Sequence, residues 1–271
     1  MITYLDVFLS LIFVAIAFGI SLSEKLRLEK DIIEATVRTF VQLIIVGYVL
    51  KFIFAENKLY WTGGMITVMT IVGAYTSAGR AKGIPKPFPI TAAAMVSSVL
   101  TALIILLCLK IVSTEPMYLI PIAGMVIGNT MNTTTIVMIR TREGIFDHRE
   151  SIEASLALGK SPKVSCSNVI KSAVRLSLIP KLDIVKVGGI IHMPGAMTGM
   201  ILAGASPMQA VKFQLIIMYL IIGAPAVAAV ISSRMAYRRF FNENEQLIIP
   251  QHSPKAIKRQ RAEHSSKVKI K

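Results

Sequence analysis

Apolar residues in this chain come in long blocks separated by short polar connections, and neither the alternation of a half-buried strand nor the narrow stripe of a soluble helix describes them. About seven blocks approach the ~20 residues that a helix needs to cross ~30 Å of hydrocarbon. They run approximately from Ile2 to Ser21, Thr36 to Ala55, Tyr60 to Gly79, Phe88 to Val112, Tyr118 to Ile139, Gly188 to Gly204 and Met208 to Ser232. Water is missing from the bilayer core, so backbone groups there must pair within the segment, and blocks of this length are predicted to be helices. The pattern predicts an all-α, polytopic integral membrane protein, with a membrane domain over residues 1–235.

The stretch from 140 to 187 breaks the rhythm, being polar, basic and long for a connection. Inside it a short helix is predicted from about His148 to Leu158. Asp147 stands at a capping position, Glu150 answers it, Gly159 supplies a left-handed stop and Pro162 follows. Ala154, Ser155 and Gly159 allow close approach of another backbone, while Ile152 and Leu156, one turn apart, form apolar anchors. Such a helix suits a groove on a partner protein, or alternatively the membrane surface.

The net charge of +15 follows the membrane and does not signal nucleic acid. Basic residues fall in alternate connections: Lys25, Arg27 and Lys30, then Arg80, Lys82 and Lys86, then Arg140 through Lys186. The intervening loops, Glu56 to Leu59, Ser113 to Met117 and Ala205 to Pro207, contain only Lys58. The positive-inside rule therefore puts the N-terminus outside and the C-terminus in the cytoplasm, which makes the 140–187 stretch a cytoplasmic loop. The tail, 236–271, is basic and reads as disordered chain near anionic headgroups. Of the two cysteines, Cys108 falls in the fourth block and Cys166 in the loop, without metal-ligand spacing.

Several polar groups lie within the blocks. Asn129, Asn132, Thr133, Thr134 and Thr135 interrupt the fifth, and amides in hydrocarbon are costly enough that they must face other helices or a wet pathway. Arg38 and Gln42, one turn apart near the inner end of the second block, are candidates for the same lining. Gly-x-x-x-Gly recurs at Gly124 with Gly128 and at Gly195 with Gly199, beside Pro121 and Pro194, which fits either tight packing or an interrupted helix. Methionines crowd the same places, and Met131, His192 and Met197 are candidate contacts for a soft or borderline metal, against the commoner use of methionine as adaptable packing.

Enzyme classes are poorly served. There is no G-x-S-x-G, no H-E-x-x-H and no acid cluster, and Gly159-Lys160-Ser161 lacks the glycine at position 154 that a phosphate-binding loop requires. An ion- or proton-coupled secondary transporter is the alternative to a subunit that grips an ATPase, but Asp6 is the only carboxylate within the blocks as drawn.

Four motifs carry a resemblance. They are Arg38, Gln42, Leu43 and Gly47; Pro121 through Asn132 (P-x-x-G-M-x-x-G-N-x-M-N); Glu153, Ala154, Ser155 and Gly159 (E-A-S-L-A-L-G); and Met193 through Gly204 (M-P-G-A-M-T-G-M-I-L-A-G). Over roughly residues 1 to 235 the chain resembles the FetB/YbbM-type permeases, and its E-A-S-x-x-x-G is similar to the E-A-A-x-x-x-G loop that docks ABC-transporter permeases onto their ATPase. The resemblance implies a permease subunit in the plasma membrane that needs a separate ABC ATPase and binds no cofactor itself, ATP being held by the partner. It also implies export of metal ions, iron in the bacterial members, while a chain of seven spans without an ATPase suggests a homodimer with two ATPase chains.

Overall fold

The computed structural model describes residues 4–188 and 194–248. Eleven helices follow one another: α1 Tyr4–Leu9, α2 Leu11–Ser23, α3 Glu29–Glu56, α4 Leu59–Arg80, α5 Pro87–Cys108, α6 Pro116–Asp147, α7 Arg149–Ala157, α8 Pro162–Ser165, α9 Ser167–Val187, α10 Gly195–Leu202 and α11 Pro207–Arg238. Among the described residues there is no named strand, and Phe241 and Leu247 form an isolated antiparallel bridge. The all-α expectation holds. Five stretches are long and apolar enough to cross a membrane: Leu5–Ser23, Glu29–Glu56, Pro87–Cys108, Pro116–Asp147 and Pro207–Arg238.

The chain divides into two compact units, Met1–Trp61 and Thr62–Lys271. In the first, α2 and α3 pack together. Ser21 is buried at their turn, donating to Glu29 Oε1 at 2.8 Å and accepting from the Leu28 N–H at 3.1 Å. Phe13, Val37, Leu43 and Tyr48 stay exposed on this unit, as a lipid-facing surface requires.

The second unit is built around α6 and α11, each of 32 residues and so about 48 Å long, well beyond the hydrocarbon thickness. They pack on each other and on α5 and α9. Small polar side chains tie the helices together, as expected where lipid supplies little hydrophobic drive between them. The Ser98 hydroxyl donates to the Ala224 carbonyl at 2.7 Å and lies 2.9 Å from the Thr130 hydroxyl, Ser77 and Thr135 pair at 2.9 Å, and Thr91 donates to the Ala74 carbonyl at 2.9 Å. One apolar cluster joins Ala74, Met95, Val99, Ala123 and Ile127 midway along the unit. A second, at the end carrying α7, joins Met138, Ile145, Ile152, Cys166, Val169, Tyr237 and Phe240.

Four expectations are corrected. The 140–187 stretch is not a loop, because it contains the 21-residue α9 packed along α6 and α11. Val169, Ala173, Ser177 and Lys181, every fourth residue, form its buried stripe. Asp147 does not cap α7, since α6 continues through it as an unbroken helix and His148 takes the N-cap position without a side-chain cap. The sixth block is not one helix: α9 ends at Val187, α10 begins at Gly195, and 189–193 lie outside the described residues. Residues 236–248, assigned from sequence to a disordered tail, are in place: Tyr237 and Phe240 are buried, and the Asn242 side chain accepts from the Gln246 N–H at 2.7 Å. The rest of that tail, 249–271, lies outside the described residues.

Candidate functional site

Two places hold the residues that the sequence singles out. The first is the end of the second unit where α7 sits. The left-handed stop at Gly159 is present, with φ +80°. Its N–H donates to the Leu156 carbonyl at 2.9 Å, and that of Lys160 reaches back to the Ser155 carbonyl at 3.1 Å, the paired closure of a Schellman motif. Ile152 is buried, 2% exposed, among Ile145, Cys166, Val169, Tyr237 and Phe240, and Leu156 packs against the same cluster. Phe146 meets Phe240 edge to face at 6.3 Å and carries the Arg142 guanidinium over its ring at 5.4 Å. These contacts clamp α7 to the ends of both 32-residue helices. On the other side Glu153, Ala154, Ala157 and Gly159 are exposed, Ser155 is half-buried, and Leu158 is 79% exposed. Glu153 accepts from Arg149 at 2.8 Å within the helix. Cys166, between α8 and α9, is wholly buried, and burial pushes its thiol up to about 11.

The second place is the face of α6 at mid-length. Asn129 is half-buried; its Nδ2 donates to the Met125 carbonyl at 2.8 Å, and its Oδ1 accepts from Lys181 Nζ, also at 2.8 Å. Lys181 is only 7% exposed. One turn away Asn132 is exposed, and its Oδ1 accepts a long contact, 3.5 Å, from Arg80 on α4. Thr133 is fully buried and its hydroxyl has no hydrogen-bond partner among the described residues. Two packed elements set this up. Gly144 lets α9 approach, because a Cβ there would stand 2.7 Å from Val169 Cγ1. From Val169 α9 then runs antiparallel to α6 and brings Lys181 to Asn129, about 16 Å in from Arg140.

The remaining sequence-predicted residues fall elsewhere. Met131 packs against the midway cluster, and Met197 is half-buried on α10. His192 lies outside the described residues. Arg38 and Gln42 are exposed on α3 in the first unit. No group of three or more His, Cys, Asp or Glu side chains able to hold a metal occurs among the described residues.

The family model described as "Uncharacterised protein family (UPF0014)" matches residues 4–241. The chain belongs to this family. Among similar proteins, the UPF0014 membrane protein YjkA of Bacillus subtilis (strain 168) is 39% identical over 244 residues, 90% of this chain and 98% of the relative. The probable iron export permease protein FetB of Escherichia coli (strain K12) is 34% identical over 243 residues, covering 90% and 94%. The UPF0014 membrane protein STAR2 of Oryza sativa subsp. japonica is 34% identical over 234 residues, covering 86% and 82%. No solved structure matches the chain. The resemblance read from the motifs thus stands, and this UPF0014 chain is a membrane protein of a family that includes a protein named as a probable iron export permease.

Sequence reasoning missed Lys181 and Arg80 as partners of the α6 amides in this UPF0014 protein. Both were counted among the basic residues of connections. For Lys181 a signal existed: the every-fourth stripe of Val169, Ala173 and Ser177 leads to it, and marks a helix with one buried face.

Proposed function

We propose that this chain is the membrane-spanning permease subunit of an ABC transporter that exports metal ions, iron in the first place, using ATP hydrolysed on a separate ATPase subunit. The observation that carries this reading is α7: a short helix with an exposed small-residue face, stopped at Gly159 and held by Ile152 to the ends of α6 and α11. A partner that seats on Glu153, Ala154, Ser155 and Leu158 gains direct mechanical purchase on the two longest helices of the second unit. The name of the FetB relative supports the cargo.

In this reading the chain crosses the plasma membrane seven times, with the N-terminus outside. The crossings are α1 with α2, α3, α4, α5, α6, α9 continued by α10, and α11. The sixth crossing is then made in two pieces, as in permeases whose broken helices present polar groups to cargo. Two copies of the chain assemble with two ATPase chains, and this chain binds no cofactor of its own.

The test is co-expression of the chain with the ABC ATPase of its own genome. The ATPase should copurify, Ala154→Arg should release it without lowering membrane abundance, and cells lacking the permease should accumulate iron in iron-rich medium. Unchanged ATPase retention in Ala154→Arg would demote α7 to a surface anchor, and a deletion strain with normal iron content would remove the metal from the reading.

A further inference from the structure

We propose that the place where α9 meets α6, at Lys181 and Asn129, is an oxyanion site, and that the exported metal meets it as an anionic carboxylate complex and not as a bare cation. The metal complex rests on the export reading above; the anion site does not.

The charge at this place is positive and unanswered. Lys181 is buried, yet its hydrogen bond goes to a neutral amide. The ion pairs among the described residues join Lys58 with Glu56, Arg140 with Glu143, Arg149 with Glu153 and Lys186 with Asp183, and leave out both Lys181 and Arg80. An ammonium carries three N–H donors, and the structure gives one of them an acceptor at Asn129. Burying a charge whose donors are not all satisfied is costly, and an added acceptor would offset that cost.

The amide oxygens that a bare metal ion would seek already face protein cations. Asn129 Oδ1 holds the Lys181 ammonium at 2.8 Å, and the Arg80 guanidinium lies 3.5 Å from Asn132 Oδ1. A divalent cation would have to displace a protein cation from its ligand and then sit beside it. An oxyanion meets the opposite conditions: it can accept from the ammonium and from the second N–H of the Asn129 amide. A metal wrapped in carboxylates carries the negative oxygens outward and fits the same donors. Lys181 is then a specificity-determining residue that selects the charge of the cargo.

Titration calorimetry on the purified full chain in nanodiscs, without ATPase, tests this with four probes: citrate, ferric citrate, inorganic phosphate and ferrous ion. Citrate and ferric citrate should bind, and Lys181→Met should weaken them roughly tenfold or more, the size of one charge-assisted hydrogen bond, while Lys181→Arg should keep affinity within a few fold. Asn129→Asp supplies an internal carboxylate for the ammonium, so it should abolish oxyanion binding while leaving the thermal midpoint equal or higher; this variant decides the matter if Lys181→Met does not fold. Phosphate bound in place of citrate would keep the oxyanion site and overturn the carboxylate complex. Ferrous ion bound by the wild-type chain as tightly as citrate, or no oxyanion bound by the wild-type chain, would overturn the proposal. Loss of ATPase copurification with oxyanion binding intact would count against the transporter reading alone.

Discussion

Gly144 is the position where a single methyl group reports whether α9 lies along α6. The added Cβ of Gly144→Ala would stand 2.7 Å from Val169 Cγ1 and 3.6 Å from Val169 Cβ and Cγ2. Ordinary carbon contacts lie near 3.5–4.0 Å, so about 1 Å of overlap must be relieved by moving a side chain that is 5% exposed, or the helix that carries it. Overpacking of this kind costs ~1–3 kcal/mol. Replacing a helical glycine by alanine returns ~1 kcal/mol of backbone propensity. The net loss is about 1 kcal/mol, a fall of roughly 2–4 °C in the melting temperature for a chain of this size. Val169→Ala alone removes two buried methyl groups at ~0.8 kcal/mol each plus a cavity contribution, about 2 kcal/mol together. In the double variant the overlap is gone, the propensity gain survives and the new methyl fills part of the space, so the cost is about 1 kcal/mol. The single changes sum to ~3 kcal/mol, which makes the double variant about 2 kcal/mol more stable than additivity allows. Thermal unfolding of the four proteins in the same detergent measures it. Additivity within ~0.5 kcal/mol would refute the contact, and with it the placement of α9 that delivers Lys181 to Asn129.

Asn129→Leu removes the acceptor of a buried ammonium and should cost about 2 kcal/mol, most of it recovered in the Asn129→Leu, Lys181→Met double variant; failure of the second change to restore the melting temperature would separate the two side chains. Asn132 is exposed, so Asn132→Leu should leave stability nearly unchanged and show its effect in cellular iron content instead. Gly159→Val meets no atom within 4 Å, which leaves backbone strain at φ +80°, on the order of 1–2 kcal/mol, to distort the end of α7; ATPase copurification should fall while membrane abundance stays normal. Cys166 is buried, so a maleimide should leave it unlabelled in the folded, detergent-solubilised chain and label it after denaturation. The Cys166 thiol, raised from 9.0 to about 11, favours the fold below pH ~9, and that contribution is lost as the pH rises through about 11, so the melting temperature should fall over that range. Cysteines introduced at Asn57 and Glu115 in a cysteine-free chain should react from outside and those at Lys82 and Lys163 should not, and reversed labelling would invert the orientation.

The sequence by itself determined the all-α class, most of the long helices and the stop at Gly159, because each rests on local physics. A backbone in hydrocarbon must satisfy its own hydrogen bonds, and a glycine that follows a helix relieves the left-handed position without strain. Asn129 and Asn132 were legible as candidates for the same reason, since an amide among apolar residues needs a partner wherever the chain goes. The stripe through Val169, Ala173 and Ser177 points to a buried face at Lys181, but not to Asn129 as what that face meets. α9 carries Lys171, Arg175, Lys181, Asp183 and Lys186, so its composition reads as a polar connection, and it becomes a packed helix only because α6 and α11 cover the stripe from Val169 to Lys181. The expected cap at Asp147 failed by the converse effect: packing of Ile145 and Phe146 in the cluster around Phe240 accompanies a last turn of α6 that runs on through Asp147. Burial of a charge depends on what lies across from it, 52 positions away in the chain for Lys181 and Asn129, and that distance is closed by the tertiary structure alone.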